Sequence, residues 1–219
     1  ISKYNNSNNF SPALKGSEKN LILVIGQVED DASVKLGANS LNNLSLLKKV
    51  RYENPKSTII YRPHPDVVSR NRVGIVKMNE IEKYSDIYII KGNIVDLISK
   101  VNEVHTMTSL VGFEALLQNK IVVTYGLPFY AGWGLTKDKI PCERRKRNLS
   151  IEELVSGVLI LYPRYIDPKT FKYCSPEILV DSIYKQRYFL EKNIFIKSKE
   201  KIKNFFIRKL IKLVGRIYE

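Results

Sequence analysis

The sequence predicts an α/β domain with a mainly parallel sheet flanked by helices. Short apolar runs, of the length typical of strands buried on both faces, recur along the first 126 residues. Segments with helical periodicity separate these runs. Strands that alternate with helices favour parallel pairing, because each helical crossover returns the chain to the same end of the sheet. A chain of 219 residues, 44% hydrophobic, is long enough to bury such a core.

Five strands and five helices are predicted along the chain. The apolar runs that predict strands, the first of them LILVIG, lie at 21–26, 57–61, 86–90, 103–107 and 120–126. The segments that predict helices lie at 38–51, 94–99, 109–118, 151–161 and 176–192. Together these elements define one predicted domain, which spans residues 20–193.

The two ends of the chain differ in composition from this domain. Residues 1–19 are polar, rich in Asn and Ser, and have no apolar h-region, so a linker is predicted there rather than a signal peptide. Residues 194–219 place apolar side chains at helical spacing among basic ones, which predicts a basic amphipathic tail. Between 197 and 216, eight Lys or Arg stand against Glu200 alone, so this stretch carries +7 of the net +14. It suits an anionic membrane surface, and the alternative is a terminal helix packed on the domain.

Composition excludes several classes of protein. No apolar run approaches the roughly 20 residues that a membrane-spanning helix needs. Cys142 and Cys174 have neither ligand spacing nor nearby histidines, which indicates a reducing, cytoplasmic compartment without a structural zinc. Neither GxGxxG nor GxxxxGK[ST] occurs, which argues against dinucleotide redox enzymes and P-loop ATPases. The basic residues accompany no nucleic-acid-binding motif, so no nucleic acid is predicted as a partner.

Three polar clusters follow directly after predicted strands. They are GQVEDDAS at 26–33, RPHPD at 62–66 and HTMTSLVGFEALL at 105–117. Ligands of open parallel sheets bind outside the carboxyl ends of the strands. We therefore expect the three clusters to crowd one edge of the sheet and to form a site there.

The third cluster suits a phosphate. Thr106, Thr108 and Ser109 lie where a strand passes into a helix, so their hydroxyls and the backbone N–H groups of the first turn are available as donors. Simple N-capping by Thr108 or Ser109 explains the same residues. His105, at the end of the strand, is predicted to be a packed histidine.

The other two clusters supply an imidazole and carboxylates. His64 lies between two prolines that hold the loop rigid, and it can donate to a phosphate or protonate a leaving group. The alternative is a rigid turn in which it merely caps the loop. Glu29, Asp30 and Asp31 can bind a metal, act as a base or attack an anomeric carbon. An acidic turn or helix cap explains them equally.

The chain resembles the bacterial capsule polysaccharide biosynthesis and export family. The resemblance is carried by GQVEDDAS, by YRPHPDV, by the long phrase at 105–138 and by LILYPRYIDPKTFKYCSPE, in this order. The family comprises β-Kdo glycosyltransferases that build the oligo-Kdo linker of capsules on a phosphatidylglycerol lipid. It implies a GT-B enzyme that uses CMP-Kdo, with this chain as its Rossmann-like, nucleotide-binding C-terminal lobe. Bacterial sialyltransferases, which also use CMP-sugars, carry a similar HP motif.

The resemblance also implies roles for particular residues. His64 and Pro65 match the HP motif, and Thr108 and Ser109 match the phosphate-binding hydroxyls. Asp31 matches the acid proposed as nucleophile in retaining members, and Glu29 is the second choice. The predicted catalytic residues are therefore Asp31, His64 and Glu29. The predicted donor-binding residues are Gln27, Arg62, His64, Pro65, Thr106, Thr108 and Ser109.

The function implied is transfer of Kdo from CMP-Kdo to a lipid-linked capsule linker, at the cytoplasmic face of the inner membrane. No metal and no cofactor are implied, because the donor carries a single phosphate and CMP is a good leaving group. The expected partners are the CMP-sugar, a lipid-linked saccharide acceptor, the anionic membrane surface, and other capsule assembly proteins or a preceding acceptor lobe. Only 20 residues precede the first predicted strand, so the chain is expected to be the donor half of a longer enzyme. The alternative function is a non-catalytic scaffolding module in capsule assembly and export.

Overall fold

The computed structural model describes residues 20–192, in which a parallel sheet forms the core of the first part. The strands of this sheet are β1 (Leu21–Ile25), β2 (Thr58–Arg62), β3 (Ile87–Tyr88), β4 (Glu103–Thr106), β5 (Ile121–Thr124) and β6 (Lys137–Asp138). Every neighbouring pair is parallel, in the order β3-β2-β1-β4-β5-β6. The five predicted strands and the α/β class are confirmed. The two-residue strand β6 was not predicted, because it is too short to show a pattern.

Seven helices accompany this sheet. They are α1 (Ala32–Gly37), α2 (Asn43–Glu53), α3 (Pro65–Val68), α4 (Met78–Tyr84), α5 (Ile94–Ser99), α6 (Leu110–Leu116) and α7 (Ile151–Val155). The prediction of a helix over 38–51 was wrong at its start. Asn39 and Ser40 have φ values of 45° and 62°, a left-handed conformation that ends α1 and separates it from α2. The Asn42 side chain then caps α2 by accepting from the Ser45 N–H.

The sheet is buried on both faces, which explains the continuous apolar runs of its strands. Every residue of β1 is at most 8% exposed, because β1 lies between β2 and β4 and under helices. Helix α2 contributes Leu46, Leu47 and Val50 to the cluster on one face, where they pack with Ile22 and Tyr61. This packing fixes the strands whose carboxyl ends carry the polar clusters.

The loop after β5, which runs from 125 to 136 and ends at β6, is held by hydrogen bonds from Arg145. Arg145 donates through Nη1 to the carbonyls of Pro128 and Ala131, both at 2.6 Å, and its guanidinium lies 5.5 Å from the Trp133 ring centre. Tyr130 is fully buried. Arg145 therefore braces the loop, whereas Arg144, Lys146 and Arg147 beside it in the chain are exposed.

A second compact unit begins after Leu154. In it the structure describes a π-helical segment (Ser156–Leu161), an antiparallel pair formed by β7 (Tyr165–Ile166) and β8 (Tyr173–Cys174), and helix α8 (Pro176–Lys192). The predicted helix over 176–192 is confirmed, and the one over 151–161 starts as α7 and continues as the π-helical segment. The predicted linker at 1–19 and amphipathic tail at 194–219 lie outside the described residues. Within residues 20–192, no helix is both long and apolar enough to cross a bilayer.

Candidate functional site

A cavity of about 430 Å³ opens beyond the carboxyl ends of the strands. The strand order reverses between β1 and β4, and such a switch point is where open α/β sheets bind ligands. Gln27 follows β1 and Thr108 follows β4, so the two segments that diverge there both reach the cavity. Of the predicted site residues, those that line it are Gln27, Asp31, Arg62, His64, Pro65, Thr108 and Ser109. All three polar clusters therefore meet at one edge, and the chemical roles of these residues stay predictions.

Asp31 enters the site as the N-cap of α1. Its Oδ1 accepts the Ser33 N–H at 2.9 Å and the Ser33 hydroxyl at 2.7 Å. These bonds favour the ionised form and hold the pKa of Asp31 below its usual value. Oδ2 has no hydrogen-bond partner within residues 20–192, so one carboxylate oxygen is oriented by the helix cap and the other remains for a ligand.

His64 enters the site in the same way, as the N-cap of α3 with Pro65 at the first helical position. Its Nδ1 accepts the Asp66 N–H at 3.1 Å. A neutral imidazole has one donor and one acceptor nitrogen, so this contact assigns the proton of neutral His64 to Nε2. The Pro-His-Pro loop thus makes His64 a cap and also fixes which ring nitrogen carries the proton of the neutral imidazole.

Gln27 organises the turn between β4 and α6. Its Oε1 accepts the Thr108 N–H at 2.8 Å and the Thr106 hydroxyl at 3.1 Å, while Nε2 donates to Thr108 Oγ1 at 2.9 Å. The Thr106 hydroxyl in turn accepts the Ser109 N–H at 3.2 Å. A buried amide with three such bonds holds the hydroxyl-bearing turn in one conformation. The structure therefore gives Gln27 a positioning contact with both threonines.

A chain of hydrogen bonds joins this turn to the carboxylate of Asp31. Thr108 Oγ1 accepts from Gln27 and donates to Ser33 Oγ at 3.4 Å, and Ser33 donates to Asp31. The 3.4 Å bond is long and therefore weak. The Thr108 proton can accordingly turn to a bound anion at little cost, while the bond from Ser33 to Asp31 persists.

We expect the replacement Ser33→Ala to raise the pKa of Asp31 towards that of an ordinary aspartate. The Ser33 hydroxyl is the main cause of the lowered pKa, because it stabilises the carboxylate but not the acid. Loss of the hydroxyl therefore makes Asp31 protonate at a higher pH than in the wild type. A ¹³C NMR titration of the Asp31 carboxyl measures this directly. Ser33→Thr, which keeps a hydroxyl, is the control, and an unchanged pKa in Ser33→Ala would contradict the assignment.

Ser109 is the N-cap of α6, and its Oγ accepts the Val111 N–H at 3.2 Å. The capping interpretation is therefore correct for Ser109. A hydroxyl that accepts in a cap still has a proton to donate, so capping and ligand binding are compatible. The Ser109 carbonyl accepts from the buried Tyr130 hydroxyl at 2.5 Å, which ties this turn to the loop after β5.

Two predicted site residues do not line the cavity. Glu29, the second choice as nucleophile, accepts the Asn43 N–H through Oε1 at 2.8 Å and thereby holds the start of α2. Thr106 is fully buried, and its hydroxyl serves Gln27 and Ser109. His105 is buried as predicted, with Nδ1 3.2 Å from the Tyr125 hydroxyl and Nε2 3.2 Å from Glu103.

Charged and polar residues that the sequence analysis did not select also line the cavity, among them Ser33, Arg72 and Glu114. Ser33 follows Asp31 by two residues, which is the spacing of a capping aspartate and its partner, so local sequence contained this signal. Arg72 donates to both oxygens of Asp30 at 3.2 and 3.3 Å. Burial raises the pKa of Glu114. Within residues 20–192, no three His, Cys, Asp or Glu side chains converge in a way that could hold a metal ion.

Fold and site together define a Rossmann-like α/β lobe of the GT-B glycosyltransferase type, with its ligand cavity at the switch point. The family model described as "Capsule polysaccharide biosynthesis protein" matches residues 3–165. The chain belongs to this capsule polysaccharide biosynthesis family, as the resemblance implied.

Curated relatives are similar over most of the chain. The capsule polysaccharide modification protein LipA of Neisseria meningitidis serogroup A is 45% identical over 214 residues, which cover 94% of this chain and 30% of LipA. The lipopolysaccharide-processing protein LpsZ of Rhizobium meliloti is 41% identical over 167 residues, or 75% of this chain and 38% of LpsZ. The chain thus spans about a third of the length of these relatives.

Solved structures of the KpsC protein of Thermosulfurimonas dismutans have the same fold. Its β-Kdo 2,7 transferase is 43% identical, with a TM-score of 0.71 over 78% of this chain and 56% of that chain. Its β-Kdo 2,4 transferase is 33% identical, with a TM-score of 0.70 over 83% of this chain and 57% of that chain.

Proposed function

We propose that this chain is the donor-binding lobe of a glycosyltransferase that moves Kdo from CMP-Kdo to a lipid-linked saccharide of the capsule. The observation that carries the proposal is the convergence of a carboxylate, an imidazole and a hydroxyl-bearing turn on one cavity, from Asp31, His64 and Ser109. A carboxylate beside a phosphate repels it, so a role in the chemical step gives a reason for the presence of Asp31 in this cavity. The likeness to two β-Kdo transferases supports the same reaction class.

In the proposed first step, Asp31 attacks the anomeric carbon of the donor sugar. A carboxylate oxygen forms a bond to that carbon while the bond from the carbon to the phosphate oxygen breaks, and CMP leaves with the electron pair. Oδ2 is suited to this role because the cap contacts occupy Oδ1. The Ser33 contacts that lower the pKa of Asp31 stabilise the ionised form that this attack requires.

The phosphate that departs gains negative charge, and nearby donors stabilise it. His64 offers its Nε2 proton, and the hydroxyls of Thr108 and Ser109 offer two more. In the second step an acceptor hydroxyl attacks the sugar–Asp31 ester and releases the carboxylate, so two displacements retain the anomeric configuration. The base that takes the acceptor proton, and the acceptor surface, are proposed to belong to a further lobe of the enzyme.

We also propose that residues 194–219 attach the protein to the anionic face of the inner membrane. The charge of +7 between 197 and 216 supports this, since each basic residue near such a surface contributes about 1 kcal/mol. Flotation with vesicles of anionic lipid tests it: deletion of 195–219 is expected to abolish binding. Retained binding after the deletion would contradict the proposal.

Calorimetric titration with CMP tests the proposed function. We expect His64→Asn to bind CMP about tenfold more weakly than the wild type, because the phosphate loses one donor. Asn retains an oxygen that can cap α3, so this variant removes the ring nitrogen without removing the cap. The melting temperature should therefore change little.

Cytidine serves as the matched ligand, since it lacks the phosphate. Its affinity should be equal for wild type and His64→Asn. An equal loss of affinity for cytidine and CMP would place His64 away from the phosphate. A folded wild-type chain with no affinity for CMP would overturn the proposed function and favour the non-catalytic scaffolding module.

A further inference from the structure

Acidic side chains outnumber arginines in the lining of the cavity. The acidic ones are Asp31, Asp66 and Glu114, and the basic ones are Arg62 and Arg72. With His64 neutral and the three carboxyls ionised, these side chains carry two positive and three negative formal charges, a net charge of −1. A ligand with two anionic groups cannot be held there by overall attraction, so each anion needs its own local partner.

Arg72 is not such a partner, because it is already neutralised. It faces Asp30 with its Nε and Nη2 groups, and Nη2 lies 3.0 Å from the nearer carboxylate oxygen. Arg51 outside the cavity is similarly paired with Asp86 at 2.5 Å. Both guanidiniums therefore have a carboxylate within ion-pair distance.

Arg62 has no such carboxylate within residues 20–192. It is the last residue of β2 and only 6% exposed, and Nη2 donates to the Gly92 carbonyl at 2.7 Å. Its Nη1 is buried and has no hydrogen-bond partner among the described residues. Burial alone lowers the pKa of this guanidinium, in keeping with the lack of an opposing charge. A buried cation with two unused N–H donors is costly to the folded protein.

We propose that Arg62 is the receptor for the carboxylate that a 2-keto sugar acid carries on its anomeric carbon. The inference rests on the proposed function and adds the feature of the donor sugar that the site selects. The anomeric carbon of such a donor bears the carboxylate and the phosphate oxygen together, so both anions must be met inside one cavity. The neutral donors at His64 and Ser109 suit the phosphate, which must leave. The fixed charge of Arg62 suits the carboxylate, which stays on the sugar, and this contact would hold the sugar against Asp31.

Gly92 gives Arg62 its orientation. The contact to the Gly92 carbonyl uses Nη2 and leaves the buried Nη1 without a partner among the described residues, so Nη1 is the nitrogen that the proposed carboxylate would pair with. A sugar without the carboxylate would leave the cation unpaired in a site that has just lost its water. Selection for sugar acids then follows from a penalty on neutral sugars as well as from attraction.

Titration of the whole chain with CMP and with CMP-Kdo tests the inference. The wild type should bind CMP-Kdo about 10- to 100-fold more tightly than CMP, as expected for a charge-assisted hydrogen bond in a buried site. In Arg62→Gln this advantage should disappear, while affinity for CMP changes less than about threefold. Lys91→Gln removes the same charge from an exposed neighbour of Gly92 and should keep the full advantage.

Arg62→Met is a second variant, for the case in which Arg62→Gln does not fold. It replaces the unpaired buried cation by an apolar chain of similar length, so its melting temperature should equal or exceed that of the wild type. Equal affinities of the wild type for CMP and CMP-Kdo would overturn this inference but not the proposed function. An equal loss of affinity for CMP and CMP-Kdo in Arg62→Gln would also overturn it, because that result would assign Arg62 to the phosphate. Failure of the wild type to bind CMP overturns the proposed function itself.

Discussion

Replacement of Asp31 by Asn should slow release of CMP from CMP-Kdo by about 10³-fold or more, the loss typical for removal of a nucleophile. The amide cannot form the bond to the anomeric carbon, although it can still cap α1 by accepting from Ser33. Folding and affinity for CMP should therefore persist while chemistry stops. The measurement is the rate of CMP release together with the intact mass of the protein, since the wild type should gain the mass of one Kdo residue.

Glu29→Gln is the matched comparison for this experiment. Glu29 contacts the Asn43 N–H and does not line the cavity, so its loss should reduce stability modestly and leave the protein–sugar adduct intact. The opposite pattern, with an adduct in the Asp31 variant and none in the Glu29 variant, would assign the nucleophile to Glu29. Full CMP release by Asp31→Asn without any adduct would rule out the two-step reaction.

The second large effect is expected on folding stability, from Gly126→Ala. A Cβ at Gly126 would lie 2.6 Å from the Gly37 carbonyl oxygen and 2.9 Å from that of Met107. Both are backbone atoms that cannot rotate away, so the end of α1 or the turn after β4 must shift. Overpacking of this kind costs about 3 kcal/mol of unfolding free energy, which urea denaturation measures.

Gly157→Ala is the control, because a Cβ there meets no atom within 4 Å. Its unfolding free energy should stay within about 0.5 kcal/mol of the wild type. The Gly126 variant should also bind CMP more weakly, since the displaced turn carries Thr108. An unfolding free energy equal to that of the wild type would show that the two carbonyls yield, and would contradict the close packing described here.

The sequence predicts the sheet well because the strands are buried on both faces. Burial on both faces leaves continuous apolar runs, and all five predicted strands exist in parallel register.

Short helices were harder to predict. Helices α3 and α4, of four and seven residues, are too short to show a period of 3.6, and the cap at His64 becomes recognisable only once α3 is known.

The candidate site, too, could be predicted from the sequence only in part. The order of elements alone predicts that Asp31, His64 and Ser109 meet, since each follows a parallel strand and such strands end at one edge. Neighbouring carboxylates are equivalent in sequence, so local pattern could not separate Asp31 from Glu29. A long-range contact distinguishes the two carboxylates: that of Glu29 accepts the first N–H of α2.

By itself, the sequence determined the family, the parallel sheet and the edge at which the polar clusters gather, because these depend on local periodicity and chain order. Only the tertiary structure decided which side chains are already paired. Arg72 and Arg62 are both arginines near the same motif, yet Asp30 neutralises one and the other is buried without a counter-charge in the part of the chain that the structure describes. Pairing depends on distances between residues far apart in the chain, and a single sequence does not contain those distances.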